Sequence, residues 1–93
     1  MEENYSYPLD IDWKPEEMVI VMDMWQAVEA AYEQGIPASD FLETHRQFKQ
    51  VIKSIGEERQ LGREFEGVSG YSLYHALQSA KKAPDKLLKM KGA

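Results

Sequence analysis

The stretch from Pro15 to Gln34, PEEMVIVMDMWQAVEAAYEQ, limits what this chain can fold into more than any other. At about 100° per residue it gathers Ile20, Val21, Met24, Trp25, Ala27, Val28, Ala31 and Tyr32 on one broad side, with Glu16, Asp23, Gln26, Glu29 and Glu33 opposite. Such a segment is stable as a helix only when other elements cover its apolar side. Its ends are marked accordingly. Pro15 suits the first turn, where no amide donor is missed; Glu16 and Glu17 sit at the positive end of the dipole; Gly35 can take the left-handed stop. With 93 residues the chain makes one domain with one core, and is too short for a roomy catalytic cleft besides.

The remaining segments read as partners for this helix. Tyr5, Tyr7, Leu9, Ile11 and Trp13 alternate with polar residues, and Pro8 forbids a regular helix there, which predicts an extended N-terminal arm over residues 1–14. Asp12 or Trp13 precedes the first helix, Asp12 being the better cap. A second helix should start from Ser39 or Asp40 and run to about Lys53. Its apolar line is Phe41, His45, Phe48, Ile52 and Ile55, and Arg46, Lys49, Gln50 and Lys53 lie on its outer side. Ser54 and Glu57 form a capping box for a third helix over about 56–68, with a thin line of Leu61, Phe65 and Val68 and with Gly62 weakening it. Gly70 ends that helix, and Ser72 starts a fourth through about Lys82 that turns Leu73, Tyr74, Leu77 and Ala80 inward. Pro84 closes it. Residues 84–93, PDKLLKMKGA, have little to pack and are expected to fray beyond about Leu87. The fold class that follows is all-α: an irregular three- to four-helix bundle over 1–83, with the extended arm at one end and a Lys-rich flexible tail at the other.

Charge is divided unevenly along the chain. Residues 1–43 hold eleven acids and one Lys, a balance of −10, while residues 44–93 hold five acids and ten Lys or Arg, a balance of +5. In a compact bundle the halves can neutralise each other, and that account is preferred to one in which each half faces its own partner. The acids of the first helix are expected to form a solvated face or a ladder to Arg46, Lys49 or Arg63. No Cys is present, which removes disulfides, thiolate metal sites and thiol nucleophiles. No apolar run reaches the ~20 residues of a membrane span, and the acidic start is unlike a signal peptide, so the expected setting is the cytoplasm, away from membranes.

The residues N-Y-S-Y-P-L-D (4–10), V-E-A-A-Y-E-Q-G (28–35), R-x-F-K (46–49), E-x-Q-L-x-R-E-F-E (58–66) and S-G-Y-S-L-Y (69–74) together resemble a family of small uncharacterised proteins from Gram-positive bacilli. The likeness runs to about Lys82 and leaves the Lys-rich tail outside. It implies a compact helical fold and a bacterial cytosolic setting. That family has no assigned activity, so the resemblance carries over no functional residue.

Candidate chemistry is sparse. His45 within the second helix's apolar line reads as a core histidine with one bonded ring nitrogen, and His75 stands near the start of the last helix. There is no H-x-x-x-H, H-E-x-x-H or E-x-x-H, no phosphate loop and no nucleophile elbow, so no metal, cofactor or catalytic residue is implied and an enzyme is not expected. Nucleic-acid binding through a basic face of Arg46, Lys49 and Lys53 is an alternative, against a sequence pI near 5.0. Small-ligand or metal binding is a further one. The preferred expectation is a protein-interaction module of unknown partner whose surface draws on Val19, Met22, Tyr5, Tyr7, Tyr71 and Tyr74, with weak homodimerisation through the first helix.

Overall fold

The computed structural model describes residues 7–91. The chain is all-α: α1 (Pro15–Glu33), α2 (Ala38–Val51), α3 (Ile55–Ser69) and α4 (Leu73–Lys82), joined by one two-stranded antiparallel ladder of β1 (Ile36–Pro37) and β2 (Leu87–Leu88). Helix α1 is the centre of the bundle. Val21, Met24, Trp25, Ala27, Val28 and Ala31 are buried along it, while Ile20 and Tyr32 at the edges of the predicted stripe are half-buried. Against it pack Phe41 and Phe48 of α2, Ile52 just past that helix, Phe65 of α3, and Leu73, Ala76, Leu77 and Ala80 of α4.

Trp25 joins three parts of this core. Its ring stacks on Phe65 at 4.7 Å between centroids and 15° between planes, and meets Phe48 edge-on at 5.7 Å. Its Nε1–H donates to the carbonyl of Pro8 at 3.4 Å, so the amphipathic indole keeps its polar atom satisfied while fully buried. Tyr7 packs beside Phe65 at 6.1 Å and donates its hydroxyl to Glu29 Oε1 at 2.9 Å, which fastens residues 7–14 along α1. Only Tyr7 and Trp13 of this segment pack on the core; Leu9 and Ile11 are exposed. The alternation fails because Asp10 makes a turn, its carboxylate taking the Asp12 amide at 2.9 Å and its carbonyl the Trp13 amide at 3.0 Å. Asp12 is therefore not the cap. Lys14 is, and its amide donates to Glu17 Oε1 at 2.9 Å, the backward half of a capping box.

Ser54 and Ser72 cap α3 and α4 as predicted, accepting from the amides of Glu57 at 3.3 Å and His75 at 3.1 Å. Gly70 ends α3 in the left-handed conformation. Helix α2 departs from expectation. It begins at Ala38 behind Pro37, without a side-chain cap, because the Ala38 amide is taken by the Lys86 carbonyl at 2.9 Å.

That bond comes from the segment expected to be a flexible tail with little to pack. Instead, Leu87 and Leu88 pair with Pro37 and Ile36, the Met90 amide donates to the Ala31 carbonyl at 2.7 Å, and Leu88 is 5% exposed. Gly35, at φ +96°, holds the turn against this segment; a Cβ there would lie 3.2 Å from Leu87 Cδ2. Three further predictions shift. Ile55 and Val68 are exposed rather than inward, and α4 buries Ala76 where Tyr74 was expected.

Two stability outcomes follow. Leu88→Ala should lower the unfolding free energy by about 2–4 kcal/mol in urea titrations, because it empties a filled core position; a loose tail would lose nothing. Gly62→Ala should raise it by roughly 0.5–1 kcal/mol, since the new methyl meets Leu73 at an ordinary 3.8 Å within a regular helix.

Candidate functional site

A groove of about 500 Å³ runs between α3 and α4. Spacing puts Ile55, Arg59, Gly62, Arg63 and Glu66 on one stripe of α3, and these form one wall. Leu73 and Leu77 of α4 are nearly covered and make its apolar base, while Tyr74 stands at the rim, 65% exposed; Ile55 on the facing helix is 62% exposed. Gly62 contributes no side chain, and Leu73 lies 3.8 Å from where its Cβ would stand.

The charges of the groove are uneven. Glu58 is spoken for: its Oε2 accepts from His45 Nε2–H at 2.9 Å and its Oε1 from the Lys49 ammonium at 2.8 Å. The hydrogen bond from His45 is the largest influence holding its carboxyl down to about 2, ahead of the opposing effect of burial and the bond from Lys49. Arg59 and Arg63 are exposed one turn apart, and among the described residues neither has an ion-pair partner.

The predicted site residues do not form one surface. Tyr7 is committed to Glu29 and Phe65, and burial followed by the bond to Glu29 pushes its phenol up to about 12. Tyr71 stacks on Tyr32 at 4.7 Å and 9° and donates to Glu33 Oε2 at 2.8 Å, a bond that raises its phenol above the usual range. The Ser72 amide donates to the Tyr32 hydroxyl at 3.3 Å, so this pair braces the α3–α4 corner to α1. Met22 is half-buried; Val19, 56% exposed, lies on α1 away from the residues lining the groove. Tyr5 lies outside the described residues. Of the five that are described, Tyr74 lines the groove.

The expected basic face is largely paired off. Arg46 grips Glu43 through both Nε at 3.0 Å and Nη2 at 2.6 Å, the bidentate geometry that holds the Glu43 carboxyl down to about 2. Lys49 serves Glu58, and Lys53 remains exposed. The ladder from α1 acids to these cations does not form among the described residues; Glu29 and Glu33 are met by phenols instead. His45 is a bonded, mostly covered histidine, as its place in the apolar line suggested. Among the described residues no three His, Asp or Glu side chains converge as a metal would require, and no helix is long and apolar enough to cross a membrane. Sequence reasoning missed Arg59 and Arg63 as a feature because their shared stripe with Ile55 and Gly62 acquires meaning only once α4 is placed opposite.

The Glu58 cluster has a pH signature. Its carboxyl is depressed when folded, so its stabilising contribution is complete above the ordinary carboxylate value of 4.5 and is lost as pH falls from there toward 2. Glu58→Gln should be less stable than the wild type at neutral pH, and the difference measured by urea titration should shrink steadily across that acid window.

Comparison with known proteins gives a consistent picture. The uncharacterised protein family UPF0223 matches residues 4–89, so the likeness passes the Lys82 limit read from the sequence and takes in β2. The chain is 62% identical over 87 residues to a protein of Enterococcus faecalis, covering 94% of this chain and 95% of that one. It is 56% identical over 81 residues to a protein of Streptococcus sanguinis and 52% identical over 81 to one of Streptococcus pneumoniae, in both cases covering 87% of this chain and 88% of the relative. All three bear only the name UPF0223 protein, and their hosts are Gram-positive Firmicutes.

Proposed function

We propose a protein-interaction role for this chain, which belongs to the UPF0223 family of uncharacterised proteins. The observation that carries the reading is the groove between α3 and α4. Leu73 and Leu77 form an apolar base, and the large apolar side chains of Tyr74 and Ile55 stand at its edges in water. Exposed aromatic and branched side chains flanking a concave apolar strip are the composition of an interface core before it is covered. The role is non-enzymatic and belongs in the cytoplasm. Among the described residues lining the groove, the Ser72 hydroxyl is buried and accepts from the His75 amide as the cap of α4, and no histidine stands beside it in the lining. Nucleic-acid binding draws less support, because Arg46 and Lys49 of the basic face are held by carboxylates of this same chain.

Site-specific photo-crosslinking tests the reading. A photoreactive amino acid placed at Tyr74, with the protein expressed in Enterococcus faecalis, should yield a discrete protein adduct. The same group at Asp85, exposed and away from the groove lining, should not. Equal labelling at both positions, or adducts only with RNA or DNA, would overturn it.

A further inference from the structure

We infer that the occupant of the α3–α4 groove is an acidic amphipathic helix of a partner protein, an assignment that rests on the interaction reading above. Charge selects the class. Of the ionisable residues lining the groove, Glu58 is paired from behind with Lys49 and hydrogen-bonded by His45, whereas Arg59 and Arg63 lie exposed without ion-pair partners among the described residues. Glu66 stands near the Gly70 end of the same wall, so the positive field is centred on the two arginines rather than spread along the groove. A carboxylate lying over them gains charge-assisted, fork-shaped hydrogen bonds, while a basic segment meets two uncompensated charges.

Shape selects a helix. The cleft lies between two helices, and its wall is a stripe at spacings of four, three, one and three, the ridge pattern along which another helix packs. From Ile55 to Glu66 the wall rises about 16 Å, or roughly three helical turns, which sets the length of the segment. Its apolar anchors would lie on Leu73, Leu77 and Tyr74, with acids on the neighbouring stripe over Arg59 and Arg63. A string of phosphates fits less well, because Glu66 and the apolar base would face it. A second copy of this chain offers acids on the outer face of α1 but only Val19 as an exposed large apolar anchor there.

The test is selection from a displayed library of helical peptides on the full chain, followed by titration of the synthesised consensus peptide. Enriched sequences should carry Asp or Glu beside Leu, Phe or Trp anchors at i, i+3 or i+4, and i+7. Affinity should weaken with added salt, and should fall roughly tenfold or more both on Arg59→Glu with Arg63→Glu and on Tyr74→Ala. All three positions are exposed, so circular dichroism should show the variants folded. Neutral or basic peptides that still depend on Tyr74 would overturn the acidic class and leave the interaction reading standing. Peptides indifferent to both variants would remove the groove as the site, and no enrichment at all would overturn both readings. A concentration-dependent dimer of the free protein, abolished by the arginine pair, would assign the groove to a second copy and overturn the present occupant.

Discussion

The indole of Trp25 is the contact on which the remaining architecture depends. It is the point where the arm, α1, α2 and α3 meet, through a backbone carbonyl at Pro8, an edge contact with Phe48 and a stack on Phe65. Aromatic pairs of this geometry contribute about 0.5–1.5 kcal/mol each beyond the area they bury. Here they also set directions: a stacked ring fixes the face that α3 turns to the core, and the edge contact fixes α2. Because Phe65 is the fully buried side chain of α3, the orientation of that helix, and so of the stripe bearing Arg59 and Arg63, leans on this stack together with the bonds of Glu58 to His45 and Lys49.

A second constraint closes the chain on itself. The turn at Gly35 leaves α2 with orphan amides and a proline where a polar cap is usual, and the C-terminal segment supplies the missing acceptor. The pairing of residues 36–37 with 87–88 is short, yet it joins both ends of the α2–α4 stretch, places Leu88 in the core and lays Met90 against α1. Residues that look like a solvated lysine tail are the lock of the bundle; the lysines stay in water while Leu88 between them turns in.

Features governed by local chemistry were legible in the sequence. The α1 stripe, the serine caps at Ser54 and Ser72, and the glycine stops at Gly35 and Gly70 all depend on residues within one or two turns of each other. What escaped depends on pairs distant in sequence. Nothing near Leu88 announces Ile36, and nothing near Ala38 announces the Lys86 carbonyl. Periodicity placed Tyr74 on the inward stripe of α4, but the smaller Ala76 is the side chain that fits against the core, and the large phenol is turned out. The charge imbalance between halves suggested a ladder of ion pairs. Among the described residues the fold instead answers Glu29 and Glu33 with the hydroxyls of Tyr7 and Tyr71, carried by aromatic side chains packed against the core. Of the groove, Ser72, Leu73 and Leu77 were visible as a capped amphipathic helix. Its facing wall was not, since the thin apolar line of α3 left open which side meets α4.

The unequal anchoring of the helices bears on how rigid the groove is. Helix α1 buries six side chains, α4 four and α2 three, whereas α3 buries Phe65 alone. Detaching α3 uncovers the least core of any helix, so its local opening draws on a smaller free energy than unfolding of the whole bundle. One wall of the groove is thus held by one buried ring, a half-buried Leu61 and the bonds of Glu58 to His45 and Lys49, with Ser54 and Gly70 as its end stops. Any displacement of α3 passes through the Phe65 stack to Trp25, while α1, α2 and α4 keep the packing they make with one another.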